Sequence, residues 1–293
     1  MEDTIEQLEA LDLTEYPIAE LDRLLTSLGK VGIMITDYNE VGENSKEIER
    51  AVNNTKEEPE FNTVSRISFK PAKYNTNYLR ASTPKNTMFY GSVISDENLD
   101  DEEIRNARIV AAAEVSSLIR NSDVMEGWSR ITFGKWKVME KVSLATIIDP
   151  TIEYEQAYLN KLVERYWEVL NKMPQDVKEN TLKVLKFLSS EFSKKVSSGN
   201  NHEYLISSKF TEIFTKTFVY DGVIYPSVQS KGYGLCVAIH PRSMNKLRPI
   251  KILQSKISKS ILEDGENHFL IDNEKNCIVE VGAEKFELKK IQK

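Results

Sequence analysis

Ser227 lies in the stretch Asp221-Gly222-Val223-Ile224-Tyr225-Pro226-Ser227-Val228-Gln229-Ser230, which runs into Lys231-Gly232-Tyr233-Gly234 and the apolar run Leu235-Cys236-Val237-Ala238-Ile239. This order sets one serine between two expected strands, beside a Gly-rich turn, where a hydroxyl can cap its own backbone or hydrogen-bond a ligand. Nucleophilic chemistry is not indicated: Ser227 is outside any Gly-x-Ser-x-Gly elbow, and no histidine stands close in sequence to activate it. Upstream, Arg80-Ala81-Ser82-Thr83-Pro84-Lys85-Asn86-Thr87-Met88-Phe89-Tyr90-Gly91-Ser92 puts a guanidinium ten residues before a strand tyrosine. Ala111-Ala112-Ala113-Glu114-Val115 then carries a carboxylate on a predicted helix. Other chemistries fail on spacing. His202-Glu203 has Ile206 where a zinc-protease helix needs its second histidine, and His240 and His268 are remote, so no metal site is expected. Gly232-Tyr233-Gly234 lacks the third glycine of a dinucleotide fingerprint, and no Gly-Lys-Ser or Gly-Lys-Thr closes a glycine-rich loop.

Together the three pieces resemble the RES family, whose name records its Arg, Glu and Ser. The resemblance implies an α+β fold with a split β core like that of the ADP-ribosyltransferases. It also implies an activity: NAD is gripped in a bent pose and its nicotinamide–ribose bond is cleaved. Breaking that bond creates positive charge on the ribose, so a carboxylate beneath the sugar stabilises an oxocarbenium-like transition state. On this resemblance Glu114 is that carboxylate, and Arg80 meets the pyrophosphate with a fork that matches two phosphate oxygens. Tyr90 offers a flat face to nicotinamide, and Ser227 binds a ribose hydroxyl or phosphate. Arg66 is a second, weaker phosphate candidate. The segment between Tyr90 and Glu114 is longer than in typical members, which leaves Glu97, Glu102 and Glu103 as competitors for the carboxylate role. Family members commonly act as toxins that deplete NAD and are restrained by a helix-turn-helix antitoxin covering the cleft. NAD enters as substrate and no cofactor is implied. Hydrolysis, phosphorolysis, transfer of ADP-ribose to a macromolecule, and a non-enzymatic binding or immunity role on the same scaffold are the readings left open.

Composition sets outer limits on these readings. The chain has 293 residues, 40% hydrophobic and 29% charged, enough for one large or two modest domains. A net charge of -6 argues against bulk affinity for nucleic acid or an anionic membrane, because phosphate binding needs a cationic surface. Cys236 and Cys277 form no metal or redox spacing, and a reduced, buried Cys236 fits a cytoplasmic setting. The acidic start Met1-Glu2-Asp3-Thr4 is unlike a signal peptide, and no apolar run approaches membrane-spanning length.

The elements that must position these residues are read from periodicity. Pro17 to Gly29 is a predicted helix with proline at its start and glycine at its end. Ser45 is expected to cap a short helix through Ile48 and Val52, and Lys56-Glu57-Glu58-Pro59-Glu60 reads as a charged linker. Strands are expected from Val64 to Phe69 and Met88 to Val93, and a helix from Asp100 to Arg120. Trp128 to Ile148 suggests a hairpin interrupted by Gly134, and three amphipathic helices follow at Thr151 to Leu170, Gln175 to Val196 and His202 to Tyr220. Tail strands are expected at His268 to Ile271, Cys277 to Val281 and Lys285 to Leu288, separated by Asp272-Asn273 and Gly282. The resulting division is a helical extension over 1–60, a RES-like domain over 61–250 with a helical insertion at about 151–220, and a β-rich extension over 251–293.

Overall fold

The computed structural model describes residues 2–38, 46–94, 101–120, 124–154, 157–197, 199–228, 234–262 and 267–292. Its strands are β1 (Ile35–Tyr38), β2 (Glu47–Asn53), β3 (Phe89–Ile94), β4 (Gly127–Val138), β5 (Val142–Thr146), β6 (Gly222–Pro226), β7 (Leu235–Ile239), β8 (Leu247–Ile261), β9 (Asn267–Ile278) and β10 (Lys289–Lys290). Its helices are α1 (Glu2–Glu9), α2 (Ile18–Thr26), α3 (Asp101–Val115), α4 (Ser117–Arg120), α5 (Ala157–Leu170), α6 (Gln175–Ser193) and α7 (Leu205–Thr217). The protein is therefore mixed α+β. Two compact units interleave along the chain: unit 1 is Met1–Asp37, Lys70–Phe89 and Ser143–Arg242, and unit 2 is Tyr38–Phe69, Tyr90–Val142 and Ser243–Lys293.

In unit 1 the strands run in the order β1-β5-β6-β7, with β5 parallel to β6 and β6 antiparallel to β7. Every residue of β6 and β7 is buried, so both read as unbroken apolar runs, the pattern of strands covered on two faces. Gly222 opens β6 where a Cβ would stand 2.0 Å from the Ala238 carbonyl oxygen, so only glycine lets β7 approach there. The helices of the expected insertion form, and α6 presents Val184, Leu185, Leu188 and Phe192 to the core. Tyr166 of α5 is fully buried, accepting from the Met34 N–H at 2.8 Å and donating to the Thr146 carbonyl at 3.1 Å. That desolvation pushes its phenol well above the ordinary range. Helix α2 has Pro17 before it and Gly29 beyond it at φ 77°, as its sequence predicts.

In unit 2 the order is β3-β2-β4-β8-β9-β10, and neighbouring strands pair antiparallel. Helix α3 packs on β2 and β4, where Ala111 and Ala112 meet Ala51, Ile131, Phe133, Leu253 and Ile257.

Several expected elements differ. The segment through Ile48 and Val52 is a strand, not a helix, because pairing on both sides with β3 and β4 outweighs its helical spacing. Val64–Ile67 is a 3-10 turn rather than a strand: Thr63 is extended, and the Arg66 N–H closes back on the Thr63 carbonyl at 3.1 Å. No hairpin joins β4 to β5, since β4 pairs with β2 and β8 while β5 pairs with β6, and Gly134 lies inside β4. The helix expected to run on to Arg120 is interrupted at Ser116. Strand β8 was not expected, and Asp272-Asn273 lies inside β9, where a register shift opposite Gln254/Ser255 absorbs the irregularity. Instead of strands at Cys277–Val281 and Lys285–Leu288, β9 ends at Ile278 and β10 begins at Lys289. Ser45 and Glu97 lie outside the described residues.

Candidate functional site

Arg80 and Ser227 belong to unit 1. Arg80 sits in a tight double turn, where Leu79 bridges Ser82 and Thr83 bridges Asn86, and where Ala81, Ser82 and Thr83 are buried. The turn is held by side chains: Asn75 Nδ2 donates to the Thr83 carbonyl at 2.8 Å, and Ser82 Oγ accepts from the Met88 N–H at 2.9 Å. From this base the Arg80 guanidinium, 6% exposed, donates from Nη1 to the Phe192 carbonyl and from Nη2 to the Lys194 carbonyl at 2.9 Å. Both acceptors stand at the C-terminal end of α6, where carbonyls lack intrahelical donors and the helix dipole favours a cation. The guanidinium also lies 5.2 Å from the centre of the Tyr204 ring.

Phe192 connects this arginine to the serine strand. Its ring packs against Tyr225 at 5.2 Å and meets Phe210 edge-on at 6.3 Å. Two residues beyond Tyr225, Ser227 is 1% exposed and its backbone N–H donates to the Gly234 carbonyl at 2.8 Å. This bond carries the β6–β7 pairing one step past Pro226 and fixes the serine at the hairpin's end. The turn residues 229–233 lie outside the described residues.

Tyr90, Glu114 and Arg66 belong to unit 2. The Tyr90 carbonyl accepts a 2.6 Å bond from Arg50 Nη1, and desolvation brings the Arg50 guanidinium down to about 10. Glu114 is half-buried in the last turn of α3. Three polar contacts register this helix on the sheet. Asn53 Nδ2 donates to the Val115 carbonyl at 2.7 Å, and Ser92 Oγ donates to the Ala107 carbonyl at 2.6 Å. Arg108 Nε bonds Glu49 Oε1 at 3.0 Å, with Glu49 only 1% exposed. Burial raises the Glu49 carboxyl above its usual range, and Arg108 opposes that rise. Arg66 is engaged at the surface, paired with Glu58 and stacked over Phe61 at 4.6 Å.

Arg50, Asn53, Glu49 and Tyr204 were missed from sequence. The available signal was the alternation in Glu47-Ile48-Glu49-Arg50-Ala51-Val52, which puts Ile48, Arg50 and Val52 on one face of a strand and the acids on the other. Among the described residues no group of acidic, histidine or cysteine side chains is disposed to hold a metal ion. No helix there is long and apolar enough to cross a membrane. The chain matches no protein-family model, no curated protein and no solved structure.

Proposed function

We propose that this protein is an NAD-degrading enzyme with an ADP-ribosyltransferase-like core, which cleaves the nicotinamide–ribose bond by hydrolysis or phosphorolysis. The observation that carries the reading is the seating of Ser227. Ser227 is buried at the end of β6 with its amide fixed to the Gly234 carbonyl, and Phe192 links its strand to the helix end that Arg80 holds, so two of the residues named by the motifs stand on connected elements of one unit.

Glu114 supplies the negative charge that stabilises positive charge growing on the ribose, and its place in the last turn of a sheet-registered helix supports this role. Arg80 provides cationic charge for the pyrophosphate. A guanidinium has five N–H donors, so bonds to the Phe192 and Lys194 carbonyls leave others, and these bonds hold its plane in place. Tyr90, on a strand whose carbonyl is fixed by Arg50, stacks on nicotinamide. Arg66 is a secondary phosphate-binding group that must first give up Glu58. In the cell the enzyme acts as a cytoplasmic toxin restrained by a helix-turn-helix antitoxin.

Incubation of the purified chain with NAD, with and without phosphate and without any protein acceptor, tests the reading. Free nicotinamide with ADP-ribose is expected for hydrolysis, and nicotinamide with a phosphorylated ADP-ribose for phosphorolysis. ADP-ribose found only on added macromolecules would replace the reading with a transferase. No nicotinamide release from folded protein would overturn it.

A further inference from the structure

Unit 1 carries an apolar cavity of about 350 Å³ between α2, the segment that leads into β1, α6 and α7. Leu25, Val31, Ile35, Val184, Phe210 and Phe214 help form its walls, and among the described residues no charged side chain lines it. Arg80 and Ser227 are not part of the lining, so the cavity is distinct from the candidate site described above. One wall is a bank of rings centred on Phe214. Tyr220 stacks on it at 5.0 Å with the planes 17° apart, Phe210 stacks at 5.8 Å, and Phe218 leans toward it at 5.6 Å. Phe218 and Tyr220 flank Val219, whose φ of 59° is a left-handed conformation rare for a β-branched residue. Backbone strain of this kind persists where the surroundings impose it, and it gathers at ligand clamps. Here it turns the chain so that the rings on both sides of Val219 meet Phe214, while Phe218 stays 59% exposed at the cavity's edge.

We propose that this cavity binds one small, flat, uncharged aromatic molecule, at a site separate from the residues proposed to hold NAD. Its volume is that of a small-molecule site, and such sites are mostly apolar with a few polar groups that orient the ligand. Thr26 turns its hydroxyl back on the Asp22 carbonyl at 2.7 Å, whereas Thr217 and Tyr220 each bring a hydroxyl to the lining. A charged ligand would lose its hydration here with no opposite charge in the lining to replace it, so the cavity selects against charge. A flat ring gains what an aliphatic chain does not, an offset stack along the near-parallel bank of Phe210, Phe214 and Tyr220.

Fluorescence titration of the full chain with N-phenyl-1-naphthylamine, an uncharged flat aromatic probe, tests this. Saturation at one probe per chain is expected. Val31→Trp and Ile213→Trp each put an indole into the cavity, and in either variant, shown folded by circular dichroism, affinity should fall about tenfold or more. Leu270→Lys removes an exposed apolar side chain of unit 2 and should leave the titration unchanged. The same ring system carrying a sulfonate, 1-anilinonaphthalene-8-sulfonate, should bind about tenfold more weakly. Excess NAD should not displace the probe. Absence of saturable binding to the folded wild-type chain overturns the proposal, as does a titration that neither tryptophan variant alters or that Leu270→Lys abolishes. Equal affinity for the sulfonate overturns the uncharged class, and displacement by NAD overturns the separate site.

Discussion

Glu114 and Glu49 are carboxylates of the same unit with opposite surroundings, and the contrast separates the charge proposed for catalysis from a structural one. Glu114 is half-buried at a helix end, whereas Glu49 is enclosed against Arg108. Glu114→Gln keeps the shape and removes the charge that the proposed bond cleavage calls on. On the proposed reaction it should lower kcat by about 100-fold or more while NAD binding measured by calorimetry is retained. Retained turnover would move the carboxylate role elsewhere. For Glu49 the consequence is in stability. Its carboxyl is raised in the folded state, so the native protein holds a proton that the unfolded chain releases at its usual 4.5. The stabilising contribution is present below that value and declines as pH rises through the folded pKa. Urea midpoints of Glu49→Gln across this window should lack that decline, and a slope identical to wild type would count against the assignment.

Two elements depend on single residues. The end of α6 is held by Arg80, so Arg80→Ala strips a charge-assisted donor from the Phe192 and Lys194 carbonyls and should cost about 2–3 kcal/mol in urea denaturation. Arg80→Lys, which offers a point charge instead of a fork, should recover only part of it. The β6–β7 pair depends on Gly222, and Gly222→Ala drives a methyl into the Ala238 carbonyl; a loss of about 2–3 kcal/mol is expected by the same measurement. These elements also mark what the sequence makes legible. Strands β6 and β7, α2 and the three helices before Ser227 follow from apolar runs, caps and 3.6-residue periodicity, which are local signals. Strand β2 is not legible locally, because Ile48 and Val52 fit a helix as well as a strand and its neighbours β3 and β4 decide. Strand β8 is rich in lysine and serine and its burial comes from pairing with β4 and β9, so no local apolar pattern announces it. The candidate residues could be named from motif order, but Arg80's grip on α6 depends on a contact between residues more than a hundred positions apart.

At the scale of the molecule, the charge of -6 shapes which partners it can hold. With that net charge the molecule gains little overall from counterion release, so duplex DNA at physiological salt should show no mobility shift with the purified chain. A shift there would redirect attention to a local basic patch. The NAD assay is likewise a whole-chain experiment.

The interleaving of those units has a consequence for how the chain is made. Unit 1 has its last segment once Arg242 has left the ribosome, but unit 2 draws β8 and β9 from the final stretch of the chain. Strand β4 must therefore wait, one flank unpaired, through the synthesis of everything between Val142 and Leu247. During that interval the nascent protein presents Ile131 and Phe133 without the strand that later shields them. A stalled or prematurely ended message would release a species prone to aggregate, and chaperone demand during translation should rise with this delayed pairing.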